Sequence, residues 1–278
     1  MHLNAFVTEN GPAVVVADDA GNPLSEVDAA AAAGPIRDAL PGPVVAGDAG
    51  AQARDRGRPA APLRPGKIVV VGLNYLDHVE ESGMESPSRP LLFAKFPSSV
   101  IGPADEIVFD RRVTERVDWE VELGVVIGTT MRDVPVARAL EHVFGYTVGN
   151  DVSARDVQFS DGQWVRGKSF DTFCPIGPCV VTADAIPDPQ ALRLRTKVNG
   201  EVVQDSTTAK MIFSVAEILA FRSESFTLDP GDLVLTGTPW GCGEFMTPKR
   251  SLNGGDVVEV SVEGIGLLRN PVREVGAV

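Results

Sequence analysis

The sequence predicts a β-rich mixed α+β protein in which a large β core carries a few peripheral helices and follows a small N-terminal region. Three observations support this. From Lys67 onward, short β-branched runs are separated by Gly, Pro, Asn and Asp, the texture of strands and turns. Helical periodicity is confined to a few short stretches. No strand–helix alternation runs through the chain, which argues against a doubly wound parallel sheet.

Residues 1–66 read as a small accessory region ending in a linker. "AFVTENGPAVVVADD" suggests two short strands about a turn, and "VDAAAAAGPIRDAL" a short Ala-rich helix stopped by Gly-Pro. The small, polar, Pro-rich stretch "AGDAGAQARDRGRPAAPLRPG" reads as the linker. In residues 67–278, strands are expected at "KIVVVGLNY", "LGVVIG", "GYTVGN", "GPCVVTA", "DLVLTGTP" and "DVVEVSVEGIGLL". Asn199-Gly200 in "VNGEVV" marks a hairpin. Helices are expected at "VPVARALEHVF" and "SVAEILAF", where apolar residues recur at 3–4 spacing. The single Gly72 in "IVVVGLNY" makes no dinucleotide fingerprint, and "GTPWGCG" lacks the Lys-Ser/Thr of a phosphate loop.

The chain has 278 residues, 44% of them hydrophobic, enough for a substantial core. Its 25 basic and 38 acidic residues give a net charge of −13, which speaks against nucleic acid and anionic membrane surfaces as partners. No apolar run approaches the roughly 18 residues of a membrane span, and "MHLNAFVTENGP" shows no secretory signal. Cys174, Cys179 and Cys242, without a C-x-x-C pair, read as buried residues of a reducing compartment, with cytoplasm as the expected location.

The chemistry centres on "DWEVELG" at Asp118–Gly124. Residues two apart on a strand share a face, about 6.5–7 Å from one another, so Asp118, Glu120 and Glu122 line up on one side. Such a row calls for solvent, basic side chains or a metal ion over it. Asp151, at the end of "GYTVGN", supplies a further acid; Arg155 and Asp156 beside it are expected to pair with one another. Three carboxylates without cysteine favour Mg²⁺ or Mn²⁺ over zinc. His78 precedes Glu81 by three residues, so on a helix the carboxylate can orient the imidazole. The Gly/Pro/Ser-rich "SGMESPSRP" that follows reads as mobile, so the pair suits either a lid carrying a general base or a solvated helical face. Lys168, bracketed by Trp164, Phe170 and Phe173, reads as a partly desolvated site lysine or as an ion pair with Asp171.

"GLNYLDHVEE", "FAKFPSS", "DWEVELGVVIG", "GYTVGNDVSARDVQ", "GKSFDTFCPIGP", "VNGEVVQDSTTAKMIF", "LDPGDLVLTGTP" and "LNGGD" resemble, in order, the successive motifs of the fumarylacetoacetate hydrolase family. The resemblance runs from Lys67 to about Val272. It implies a β-sandwich roll that dimerises, with Glu120, Glu122 and Asp151 holding Mg²⁺ or Mn²⁺. It further implies His78 and Glu81 as the lid pair, Lys168 beside the substrate, and Gln158 and Thr238 in contact with it. Where members commonly carry G-V-G after "GTP-x", this chain has "WGCGEF", with Trp240 and Cys242. The "WVRGKSFD" form, with Arg166, resembles members acting on dioxo sugar acids or ring-fission products; Arg166 is expected to hold a distal hydroxyl or carboxylate.

The expected activity is hydrolysis of a C–C bond in an acylpyruvate-type 2,4-dioxo acid, with His78 activating water and Lys168 facing the developing enolate. The alternatives are isomerisation of a 2-hydroxy-dienoate or decarboxylation of a 2-oxo acid at the same site. More remote is a metal-binding protein without catalysis.

Overall fold

The computed structural model describes residues 1–276. Two sheets dominate it. The larger has 11 strands. Its main path runs Val44–Val45, Gly11–Ala17, His2–Thr8, Cys174–Thr182, Val143–Asn150, Val121–Ile127, Leu233–Leu235, Ile68–Gly72 and Leu91–Lys95. The smaller orders Glu201–Thr207, Arg193–Val198, Val257–Val262, Gly266–Val275 and Ile107–Asp110. This is the mixed, sheet-rich architecture expected from the sequence.

The smaller sheet alternates as a one-sided sheet should. Leu194, Thr196 and Val198 are buried, as are Val258, Val260 and Val262, while the residues between them are half-buried or exposed. That inner face packs against Val121, Leu123, Val125 and Ile127 of the larger sheet in one cluster. Val126, on the opposite side of the same strand, joins a second cluster with Leu3, Val14, Val16, Ala29, Ile36, Val70, Leu233 and Leu235. The strand Val121–Ile127 is therefore buried on both faces, and no solvent covers its acidic side.

The N-terminal strand His2–Thr8 pairs antiparallel with Gly11–Ala17 and reaches Cys174–Thr182, so residues 1–17 extend the larger sheet. The stretch expected as a linker instead carries a helix, Gly47–Arg56, and a short strand, Arg58–Ala60. Its small residues explain the difference. Ala53 packs with Phe6, Ala13 and Val15, and a Cβ on Gly50 would lie 3.2 Å from Pro23 Cβ, so compact side chains let the helix lie flat on the strands.

The hairpin falls at Asn199-Gly200, both at positive φ, between the paired residues Val198 and Glu201. The helix Val215–Ser225 begins at Ser214 with a reciprocal capping box to Glu217. Its neighbour is shorter than its periodicity suggests. Val136–Ala139 is helical and Leu140–His142 forms a 3₁₀ turn, because Val143 and Phe144 are taken into the adjoining strand. Among the described residues, no helix is long and apolar enough to cross a membrane.

Candidate active site and metal centre

The acidic motif lies where two ladders change over. Val117–Asp118 pairs with Ser153–Ala154, and pairing resumes at Val121 against Asn150. The backbone between is held by side chains: Asn150 Oδ1 accepts the Glu120 N–H at 3.0 Å, and Gln204 Oε1 accepts the Val121 N–H at 3.0 Å. The Asp151 N–H donates to the Glu120 carbonyl at 2.9 Å. Glu120 and Glu122 thus share a face, and the end of Val143–Asn150 delivers Asp151 to it. One carboxylate oxygen from each lies within 4.8 Å of the other two.

All three carboxylates are buried. Lys168 Nζ bridges Glu120 Oε2 and Asp151 Oδ2, 2.7 Å from each. Lys95 Nζ lies 2.5 Å from Asp151 Oδ1. Arg155 spans Asp118 Oδ2 at 2.8 Å and Glu120 Oε1 at 2.6 Å. Burial opposes the charge of Glu120, but Lys168 and then Arg155 outweigh it and hold its carboxyl well below the usual range. Burial likewise opposes the charge of Lys168, and Asp151 and Glu120 more than restore it. Glu122 is different. Its one hydrogen bond comes from the Gly237 N–H at 2.7 Å, which the left-handed Gly237 (φ 98°) presents. Burial, followed by the charges of Asp151 and Glu120, pushes its carboxyl well up. Four buried carboxylates, counting Asp118, thus face three basic side chains, and the shortfall falls at Glu122. An oxygen-only set with an under-compensated carboxylate fits a hard divalent cation.

Lys95 and Arg155 are site residues that the sequence reading missed. Lys95 closes the strand "LLFAK" and is 2% exposed; a lysine ending an apolar strand run was the available signal. The expected Arg155–Asp156 pair does not form. Asp156 accepts from Thr114 Oγ1 at 2.6 Å and from the Glu115 N–H at 2.9 Å, while Arg155 turns inward to Asp118.

His78 rides the helix Leu76–Ser82, which the left-handed Gly83 ends. It is 6% exposed, so the solvated reading is not realised. Its Nδ1 lies 2.8 Å from Glu81 Oε1, and Glu81 Oε2 accepts the Gly241 N–H at 2.8 Å. Asp77, one residue earlier, accepts from Ser206 Oγ at 2.6 Å and pairs with Lys210 at 3.1 Å. The helix is therefore fastened at both carboxylates. Phe245 meets the imidazole edge-on at 5.5 Å. Of the other histidines, His142 bonds Thr129 and His2 lies near Asp19, both away from the centre.

His78 lines one cleft with Glu120 and Glu122, with a cavity volume of about 30 Å³. Lys168, Arg155, Gln158 and Thr238 line it, together with Phe93, Trp164 and Phe245. Gln158 Oε1 accepts from Arg155 Nη1 at 3.1 Å, and Thr238 Oγ1 from Gln204 Nε2 at 3.0 Å. Lys168 Nζ stands 5.3 Å over the Phe93 ring and makes its ion pairs with Glu120 and Asp151, not Asp171. Arg166, expected to hold a distal hydroxyl or carboxylate, is not among the residues lining this cleft. Two residues from Lys168 on the single turn Val165–Lys168, it faces the opposite way, 58% exposed, and binds Asp161 through Nε at 2.6 Å and Nη2 at 2.5 Å.

The family model described as fumarylacetoacetate (FAA) hydrolase, C-terminal, matches residues 67–273. The human mitochondrial oxaloacetate tautomerase is 46% identical over 211 residues, 75% of this chain and 67% of that protein. The crystal structure of a 2-hydroxyhepta-2,4-diene-1,7-dioate isomerase from Mycobacterium marinum superposes with a TM-score of 0.80 at 36% identity, covering 100% of both chains. A fumarylacetoacetate hydrolase from psychrophilic Exiguobacterium antarcticum superposes with a TM-score of 0.85 at 38% identity, covering 99% of each.

Proposed function

The chain belongs to the fumarylacetoacetate hydrolase family, and from that premise we propose that it is a divalent-metal-dependent tautomerase converting the enol and keto forms of a small 2-oxo dicarboxylate such as oxaloacetate. The observation that carries this reading is the engagement of Glu81. One oxygen orients His78 and the other holds the Gly241 N–H. With Glu81 bound to Nδ1, the imidazole is set to carry a proton to or from a substrate held in the cleft.

Mg²⁺ or Mn²⁺ held by Glu120, Glu122 and Asp151 would supply a Lewis acid for negative charge on the substrate's 2-oxygen and adjoining carboxylate. Lys168, already charged between two carboxylates, adds a positive charge beside that oxygen. Glu81 fixes the imidazole by its Nδ1, so Nε2 would give a proton to C3 in ketonisation while the enol hydroxyl releases one to solvent that restores the imidazole, and both transfers would run backwards in the reverse direction. Gln158 and Thr238 offer hydrogen bonds to the carboxylate ends, while Phe93, Trp164 and Phe245 limit water around the enolate. The name of the human relative supports this substrate class.

Hydrolysis of an acylpyruvate is the second reading. The likeness to the Exiguobacterium hydrolase favours it, since both reactions pass through the same enolate. Parallel incubation with enol-oxaloacetate and with an acylpyruvate separates the two. Faster loss of the enol absorbance without pyruvate release supports the tautomerase; pyruvate release from the acylpyruvate alone supports the hydrolase.

A further inference from the structure

Cys242 brings its Sγ to 4.0 Å from Nδ1 of His78. Neither the acidic centre nor the proton transfer proposed above uses it. Glu81 completes a group of three: its Oε1 lies 2.8 Å from the same imidazole nitrogen. Nitrogen, oxygen and sulfur all lie within 4.8 Å of one another. The donors come from two segments, the helix Leu76–Ser82 and the loop before the turn Gly243–Phe245. The hydrogen bond from Gly241 N–H to Glu81 Oε2, at 2.8 Å, fastens that loop to the helix and sets where Cys242 stands. Cys242 is fully buried, with Gln204 Nε2 3.9 Å from its sulfur; the hydrogens of that amide go to Thr238 Oγ1 and the Pro239 carbonyl at 3.0 Å each.

This set differs in kind from the acidic centre. Oxygen-only donors suit Mg²⁺ and Mn²⁺, whereas imidazole with thiolate selects zinc-like ions. The ligand atoms of a tetrahedral zinc ion stand about 3.3–3.6 Å apart, given bonds of roughly 2.0–2.3 Å. The observed separations of 2.8 and 4.0 Å bracket that distance, so shifts of about half an ångström would build three sides of the site.

We propose that His78, Glu81 and Cys242 form a second cation site, taking Zn²⁺ or a similarly soft divalent ion, that switches turnover off. The ion would replace the proton on Nδ1 of His78 that faces Glu81; the neutral ring would then carry its proton on Nε2, and the displaced Nδ1 proton and the Cys242 thiol proton would pass to Nε2 or to solvent, with no redox change. His78 then has no lone pair to receive a proton from C3, and it cannot give one up without becoming an imidazolate. The effect on turnover rests on His78 being the proton carrier. The binding of the ion does not.

The test uses the full-length protein saturated with Mg²⁺. Titration with Co²⁺ reads thiolate ligation through sulfur-to-cobalt charge transfer, and equilibrium dialysis counts bound Zn²⁺. One equivalent of Zn²⁺ is expected to bind in wild type and in Glu122→Gln alike, and the cobalt band is expected to appear. Cys242→Ser and Cys242→Ala should each remove the band and weaken Zn²⁺ binding by roughly tenfold or more. Cys174→Ser and Cys179→Ser should keep both. A band absent from wild type, or retained in both Cys242 variants, overturns the site. A band with one bound Zn²⁺ but undiminished enol-oxaloacetate turnover leaves the site standing and refutes the switch together with His78 as proton carrier.

Discussion

Glu120, Glu122 and Asp151 stand on or beside strands paired on both sides and buried on both faces, whereas His78 and Glu81 ride a seven-residue helix tied down by side-chain hydrogen bonds. The two regions face the same cleft. In the acidic region, each charged group is part of the electrostatic balance of the interior, so altering one disturbs its buried neighbours. In the histidine region, Glu81 and Asp77 grip backbone N–H groups and a hydroxyl at the edge of the fold, so a side chain there can change with little effect on the core. On the proposed function, the difference should separate residues whose loss alters folding and metal binding from residues whose loss alters proton transfer alone.

The largest expected effect lies in the histidine region. His78→Gln should lower kcat by ~10²–10⁴ while leaving Mg²⁺ affinity by calorimetry nearly unchanged. A parallel loss of metal would merge the two regions and break the comparison.

Lys168→Ala should affect both quantities. Removing the bridge between Glu120 and Asp151 should cut kcat/KM by ~10²-fold or more. It should also destabilise the metal-free protein by about 3–5 kcal/mol, the scale for leaving buried charges without their partner. Lys168→Arg should not restore turnover, because a planar fork cannot take the place of a compact ammonium between two carboxylates. Urea unfolding and steady-state kinetics check this; normal stability and turnover in Lys168→Ala would remove the lysine from the centre.

Glu122 gives a sign test. Its folded carboxyl lies well above the ordinary value of 4.5, so the metal-free native state keeps a proton that the unfolded chain has released. The stability this contributes is present below about pH 4.5 and is lost as pH rises through the raised value. Glu122→Gln should flatten that decline and abolish tight Mg²⁺ binding. Melting curves of both metal-free proteins between pH 4 and 8 measure it, and equal slopes would contradict the assignment.

Arg166→Ala should have the smallest effect. The side chain pairs with Asp161 outside the cleft, so kcat/KM should stay within about twofold of wild type. A large loss would mean that the pair reopens toward substrate.

The sequence was informative wherever one residue type meets a strong local rule. The turn at Asn199-Gly200 and the capping box at Ser214 and Glu217 need no tertiary context. The spacing of Glu120, Glu122, His78 and Glu81 showed which carboxylates share a face and which carboxylate can orient the imidazole. What it could not show depended on partners distant in the chain. Lys95 and Lys168 both meet Asp151, yet they come from segments 73 residues apart that no local pattern links. Arg155 had an acid beside it at Asp156 and took Asp118 instead, 37 residues away. Arg166 shows the opposite case: the motif sets it two residues from Lys168, and the single helical turn between them points it outward to Asp161. The helix Gly47–Arg56 was read as linker because small residues look like flexible chain until the strands they cover are known.

The proposed function requires that His78 move a proton at C3 of a 2-oxo acid when a divalent ion is held by the acidic region. The most direct measurement is the stopped-flow decay of enol-oxaloacetate absorbance with Mg²⁺-loaded wild type, with the same protein in excess chelator, and with Mg²⁺-loaded His78→Gln. Ketonisation is expected well above the buffer rate in the first case and close to that rate in the other two. Ketonisation no faster than buffer with wild type, or acceleration that survives both the chelator and the substitution, would contradict it.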